Sequence, residues 1–301
     1  MSNSSRSRAP KMALAGAGAV LAAGLLAGCT TGIENGALPS TPEITNQTGT
    51  IIELWNGSWI AALVVGVITW GLILWCVAVY RKRKGDEKLP PQNRAHLPLE
   101  LMYTAVPLIM IAVLFKFTAE DMAEIRDTSA TPDYTIEVIG KQWSWDFNYT
   151  DDNTYTAGVQ AQLTGEEGVE EDLPTLYLPV DKRIEFHIMA RDVIHSFWIP
   201  AFLYKEDAIP GRTNVFQVIP TKEGTYKGKC AELCGEYHAS MLFNVKVVSQ
   251  AEYEEHMQWL RDNGYEGQLG IEYSRDQVVQ MTEDHEDSGY DTETSTEEEG
   301  H

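Results

Sequence analysis

Residues 230–241 read Cys230-Ala-Glu-Leu-Cys234-Gly-Glu-Tyr-His238-Ala-Ser-Met241. Two thiols, an imidazole and a thioether fall within this one short segment. Together they form a soft ligand set that suits copper. A zinc site would bring a further cysteine or histidine and no methionine, and the spacing is not the C-x-x-C-H of haem attachment. A disulfide would account for both cysteines, but for neither His238 nor Met241. A blue-copper site uses two histidines, one cysteine and an axial methionine, so it leaves one cysteine over. A copper site also calls for a second imidazole from elsewhere in the fold. His195, in Arg191-Asp-Val-Ile-His-Ser-Phe-Trp-Ile-Pro200, is the stronger candidate. It follows a strand pattern and precedes aromatics that could shield a site. His187, within that strand pattern, is the alternative.

The sequence around this loop reads as β. From Tyr134 apolar and polar residues alternate, and Trp143, Trp145, Phe147 and Tyr149 continue at period two. Further strands are expected at Thr175–Leu178, Arg183–Ala190, Thr213–Ile219, Gly224–Gly228 and Met241–Val248, punctuated by Pro179, Pro200, Pro210-Gly211 and Gly224. Several short strands between turn signals suggest a Greek-key sandwich or barrel over residues 130–250. Residues 151–173 interrupt the pattern with a polar, acidic stretch and are expected to be an exposed insertion. Ala251–Asn263 carries Tyr253, Met257 and Leu260 at helical spacing. Residues 282–301 hold nine acidic and no Lys or Arg residues, as a solvated tail does.

Upstream lie membrane signals. Residues 1–28 run from Arg6, Arg8 and Lys11 into a short stretch of apolar and small residues ending Leu26-Ala27-Gly28-Cys29. This resembles a lipoprotein-type signal peptide that would leave Cys29 lipidated at a new N-terminus outside the cytoplasm. Residues 29–53 then form an outer leader, with 30–50 expected to be loose. Leu54–Tyr80 has no charged residue and is long enough to cross the roughly 30 Å hydrocarbon core. Arg81-Lys82-Arg83-Lys84 follows, which marks the loop 81–96 as cytoplasmic. Leu97–Ala119 supplies a second span, with Glu100 and Lys116 towards its ends. The expected fold class is therefore an α+β membrane protein. Two transmembrane helices within 54–119 form a hairpin that returns the chain to the outer side, and a β-barrel follows. Cys76, inside the first span, reads as a small apolar residue.

The chain has 301 residues, with 23 Lys+Arg against 44 Asp+Glu and a net charge of −21. That balance argues against a nucleic-acid partner, which needs a basic face. Four cysteines are too few for a disulfide scaffold.

The 230–241 segment resembles the binuclear copper A loop of subunit II of cytochrome c oxidases. Asp192-Val-Ile-His-Ser-Phe197, Asp207-Ala-Ile-Pro-Gly-Arg212 and Gln142-Trp143-Ser-Trp145 resemble further landmarks of that family. The resemblance covers roughly residues 50–250, and the signal peptide and insertion look like those of actinobacterial aa3-type oxidases. It implies a cupredoxin-like Greek-key barrel behind the hairpin. Cys230 and Cys234 would bridge two copper ions. His195 and Met241 would complete one copper, and His238 and the backbone carbonyl of Glu232 the other. The Glu232 carboxylate would help bind a magnesium ion shared with subunit I. Trp143 would be the point of electron entry and Glu100 the mouth of a proton pathway. Asp192 and Asp207 would help dock a basic cytochrome c. The implied partners are subunit I, with haem a, haem a3 and CuB, subunit III, and cytochrome c or a membrane-bound cytochrome c subunit of a bc1-type complex. The implied function is that of subunit II of a proton-pumping terminal oxidase, which passes electrons to haem a while oxygen is reduced in subunit I.

The insertion at 151–173 and the acidic tail depart from the family pattern and leave the donor's identity open. A membrane-tethered copper-delivery protein would need Cys230, Cys234 and His238 but not Trp143 or Glu100. The electron-entry domain of a nitrous oxide reductase uses a similar loop but needs a large catalytic domain. A quinol oxidase subunit II shares the fold and lacks the copper ligands.

Overall fold

The computed structural model describes residues 35–82, 85, 92–161 and 173–271. Cys29, residues 162–172 of the expected insertion and the tail at 282–301 lie outside the described residues. Among the described residues, two helices are long and apolar enough to cross a membrane. They are α1, Thr48–Val79, and α2, Leu97–Ile125. At 1.5 Å per residue they extend roughly 48 and 44 Å, well beyond a hydrocarbon core of about 30 Å. Both are longer than the expected spans, and the surplus lies at the same end, where the two helices meet the β domain. α2 begins at a well-made cap. The backbone N–H of Leu99 donates to His96 Nδ1, Pro98 sits in the first turn, and the Glu100 carboxylate accepts from the His96 N–H at 2.8 Å.

The expected loose leader is ordered where it approaches the domain. Ile44, Thr45, Gln47 and Thr48 are buried. Asn46 N–H donates to the Ile219 carbonyl, Ile219 N–H donates back to Asn46 Oδ1, and Thr221 N–H donates to the Ile44 carbonyl. Gln47 Nε2 then donates to the carbonyls of both Ile125 and Gln217, at 3.2 and 2.9 Å. One buried amide thus joins the start of α1, the end of α2 and a strand of the β domain. These partners lie far along the chain, which is why local polarity read as looseness.

Ten strands follow. They are β1 (Tyr134–Lys141), β2 (Ser144–Tyr149), β3 (Thr154–Thr156), β4 (Thr175–Pro179), β5 (Ile184–Ala190), β6 (His195–Ile199), β7 (Tyr204–Ala208), β8 (Asn214–Val218), β9 (Gly224–Cys230) and β10 (Leu242–Val248). They form two five-stranded sheets, ordered β3-β2-β1-β5-β8 and β4-β10-β9-β6-β7. β1 pairs with β5, and β4 with β10, in parallel; the other pairs are antiparallel. The inner faces meet in an aromatic core. Phe197 stacks on Phe243 with ring centres 4.9 Å apart, and Trp145 sets its edge against both. Sandwich strands that bury alternate side chains give this arrangement, and the burial of β5 alternates strictly.

Three strands were not expected. β3 falls inside the supposed insertion and is held by β2 and by backbone hydrogen bonds from Tyr155 to Tyr265 and from Gly267 to Asn153. β6 is covered on both faces and lacks a period-two pattern. β7, Tyr-Lys-Glu-Asp-Ala, is an edge strand whose charges disguise it. α3, Gln250–Asp262, starts at a Ser249–Glu252 capping box and buries Tyr253, Met257 and Leu260.

Replacing Gln47 with Leu removes both donors at the helix–domain junction and leaves two buried carbonyls unpaired. The substitution should cost about 1–3 kcal/mol, read as a lower unfolding midpoint of the detergent-solubilised chain. An unchanged midpoint would show that the junction does not depend on this amide.

Candidate metal centre

Strand pairing assembles the site. β9 and β10 form a hairpin with Lys229 opposite Leu242, so Cys230 and Met241 flank each other at its open end. The Cys230 N–H donates to the Met241 carbonyl at 3.0 Å and closes the loop between them. β6 pairs with β9 through Phe197 and Cys230, which brings His195, at the start of β6, to the same end. The loop turns at Gly235, whose φ of +127° few side chains tolerate. A 3-10 turn, His238–Ser240, then returns the chain to Met241.

The donor atoms converge. The Cys230 and Cys234 sulfurs lie 3.9 Å apart, far beyond the roughly 2.05 Å of a disulfide bond. Cys230 Sγ is 3.9 Å from His195 Nδ1 and 3.2 Å from the Glu232 carbonyl oxygen. Cys234 Sγ is 3.5 Å from His238 Nδ1 and 3.7 Å from Met241 Sδ. His195, Cys230, Cys234 and Met241 are buried. His187 is elsewhere. The alternation of β5 turns it away from the core, and its Nε2 lies 2.9 Å from Glu185 Oε1.

Burial works against ionising either thiol, and the two respond differently. At Cys230 the hydrogen bond with His195 and those at the backbone of Glu232 and Ser196 overcome burial and bring the thiol down to about 7. At Cys234 burial, reinforced by the neighbouring Cys230 charge, pushes the thiol up to about 12. Two sulfurs this close resist carrying two negative charges unless cations lie between them. Thiolates, imidazoles and a thioether are the donor set of soft metal ions, and the residues present fit a pair of copper ions.

A second layer of contacts orients the ligands. Asp192 Oδ1 lies 2.8 Å from His195 Nε2, which leaves Nδ1 facing Cys230. A carboxylate on the outer nitrogen of a ligand histidine fixes its tautomer and orientation. Asp192 is further held by the N–H groups of Gln142 and Val193, both at 2.7 Å. Burial opposes its charge, but these contacts and His195 keep its carboxyl below the usual carboxylate range. Asp192 thus faces inward, whereas Asp207 is exposed on β7. Trp143 and Gln142 cover the loop, and both side chains donate to the Cys234 carbonyl, at 3.3 and 2.7 Å. Trp143 also meets Tyr237 edge-on at 4.9 Å. The Glu232 side chain points outward while its carbonyl faces Cys230. Glu100 caps the end of α2 remote from the β domain.

Sequence reasoning places Gln142 only within a motif, without a role, and does not name Gly140. A Cβ on Gly140 would stand 2.9 Å from His195 Cδ2, so only glycine admits the imidazole here. A glycine within a strand is the signal that could have revealed it.

Comparisons with known proteins follow this geometry. Residues 134–248 match the family described as Cytochrome C oxidase subunit II, periplasmic domain. A Streptomyces coelicolor protein named "Probable cytochrome c oxidase subunit 2" is 44% identical over 279 residues, covering 82% of this chain and 87% of that one. The Mycobacterium tuberculosis "Cytochrome c oxidase subunit 2" is 34% identical over 257 residues, covering 68% and 70%. The crystal structure of the periplasmic domain of subunit II of cytochrome oxidase from Bradyrhizobium japonicum is 33% identical. It covers 44% of this chain and 96% of that one, with a TM-score of 0.39.

Gly140→Ala should push the His195 ring out of line and weaken copper binding about 10- to 100-fold, the range seen when a ligand loses its support. Copper titration of the purified chain measures this, and unaltered affinity would contradict the close approach.

Proposed function

We propose, from the premise that the chain belongs to the cytochrome c oxidase subunit II family, that it is the electron-entry subunit of a proton-pumping terminal oxidase. The observation that carries this reading is the convergence of two unbonded cysteine sulfurs, two imidazoles, a thioether and a carbonyl in one buried end of the sandwich. When bound there, a copper pair supplies a one-electron carrier whose charge is spread over two metals. Cys230, Cys234, His195, Met241, His238 and the Glu232 carbonyl are the groups that would hold it, the two thiolates being shared between the metals.

The protein's part is to hold this set still and dry. The β9–β10 hairpin fixes Cys230 against Met241, and the aromatic core behind Phe197 and Phe243 excludes water. Little then moves when one electron arrives or leaves. Trp143 is partly exposed and donates to the Cys234 carbonyl, which supports it as the point where an electron from a reduced c-type cytochrome would enter. Asp207, exposed on β7, would help draw in such a basic donor, an attraction that weakens with salt. The electron would pass on to haem a in subunit I, where haem a3 and CuB would serve oxygen reduction, and subunit III would complete the core complex. The Glu232 carboxylate faces outward, towards the magnesium that the family implies at that contact. Glu100 stands at the cytoplasmic end of α2, at the mouth of a proton pathway. The basic segment after Tyr80 supports an inner position for this end, which would put the β domain outside, on the same side as a lipid anchor at Cys29.

Purification of the tagged full chain from membranes should bring down a haem-bearing membrane subunit. In that complex Trp143→Ala should slow the oxidation of reduced cytochrome c while leaving the copper spectrum intact. Isolation without haem, or an unchanged rate in the variant, would defeat this reading. Met241→Leu should keep copper bound and change its reduction potential; complete loss of metal would remove Met241 from its place as a weak ligand.

A further inference from the structure

Behind the metal centre lies a group of charges that the electron path does not use. Asp146, on β2, is fully buried. Its Oδ1 meets Lys141 Nζ at 2.8 Å and accepts from the Gly158 N–H at 2.9 Å. Its Oδ2 lies 2.7 Å from Arg191 Nη1, an ion pair whose N–H is not aligned as a hydrogen bond. Arg191 Nε donates to the Gly270 carbonyl at 3.2 Å. That carbonyl belongs to a strap, residues 264–271, which runs from α3 across the outer side of β2 and β3. The strap is pinned where Asn148 exchanges two hydrogen bonds with the backbone of Leu269, each 2.9 Å. The Arg191 backbone N–H donates to Gly140, the residue against the His195 ring.

Such a cluster is a poor device for stability. Taking charges out of water costs more than pairing commonly returns, and Arg191 Nη2 is buried with no hydrogen-bond partner among the described residues. What the cluster does is fix position. Arg191 and Asp192 are neighbours at the turn between β5 and β6. The side chain of Arg191 is anchored in the triad and under the strap, and that of Asp192 reaches the other way to His195 and the Gln142 N–H.

We infer that Asp146, Arg191 and the 264–271 strap are positioning elements for the copper centre: they hold Asp192, and through it the His195 imidazole, in its ligating orientation. This deepens the proposed function and rests on it for the identity of the metal. It also assigns the segment after α3 a task in the electron-transfer domain.

The test uses the full chain and three variants, Arg191→Gln, Asp192→Asn and the double variant. In the metal-free chain, Arg191→Gln should speed hydrogen exchange of the Gln142 amide, which donates to Asp192. In the copper-loaded chain, Arg191→Gln and Asp192→Asn should shift the reduction potential in the same direction and weaken copper binding about 10- to 100-fold. The double variant should go no further than Asp192→Asn alone, as residues acting through one contact do. Additive effects would overturn the inference, as would wild-type exchange and potential in folded Arg191→Gln. If Arg191→Gln does not fold, Arg191→Lys decides. It keeps the charge on Asp146 but cannot also reach Gly270, so a shift supports the coupling and a wild-type potential overturns it. A wild-type chain without a paired-copper signal would defeat the proposed function, while the exchange of Gln142 would still decide whether Arg191 positions Asp192.

Discussion

The structure is organised around two buried sulfurs 3.9 Å apart with no bond between them. Two thiolates at that distance repel, and burial, reinforced by the neighbouring Cys230 charge, drives the Cys234 thiol up to about 12, while hydrogen bonds bring Cys230 down to about 7. Holding both against that repulsion requires a rigid frame. The frame is the β9–β10 hairpin, closed by Cys230 and Met241, with β6 pressed against it to deliver His195. The frame is stiff because its strands sit on the Trp145, Phe197 and Phe243 cluster, where the two sheets interlock. A pair of soft cations bound between the two sulfurs would neutralise charge that the fold otherwise confines, and so would couple metal binding to folding.

The same economy appears where the domain meets the helices. An isolated β sandwich on a flexible tether could sit at any height above a membrane. Here the chain before α1 is stitched to the segment Gln217–Thr221, and Gln47 ties both helix ends to β8. The candidate metal centre is consequently carried at a fixed offset from the two apolar helices, which would suit the proposed electron transfer, whose rate depends on distance.

Chemistry with a short sequence span was legible before the fold was seen. The donors between Cys230 and Met241 lie in one loop, and their types alone pointed to copper. In the sequence His195 is preferred to His187 because it follows a strand pattern and precedes shielding aromatics, and the structure turns His187 outward beside Glu185. Features made by contacts between distant segments were not legible. β3 needs the strap for its outer partner, β7 hides behind its charges, and the leader is ordered only by residues far along the chain. Asp192 is assigned in the sequence only to docking, because its distant partner Gln142 and the inward turn that brings it to His195 and Val193 are set by the fold. Gly140 is the intermediate case: a glycine in a strand announces a close approach without saying to what.

The central claim is that this chain holds two coppers as one unit. It is tested most directly by metal analysis and EPR of the purified full chain after copper loading. The account predicts two coppers per chain and a single unpaired electron shared equally by both nuclei. One copper per chain with a signal from a single nucleus would contradict it.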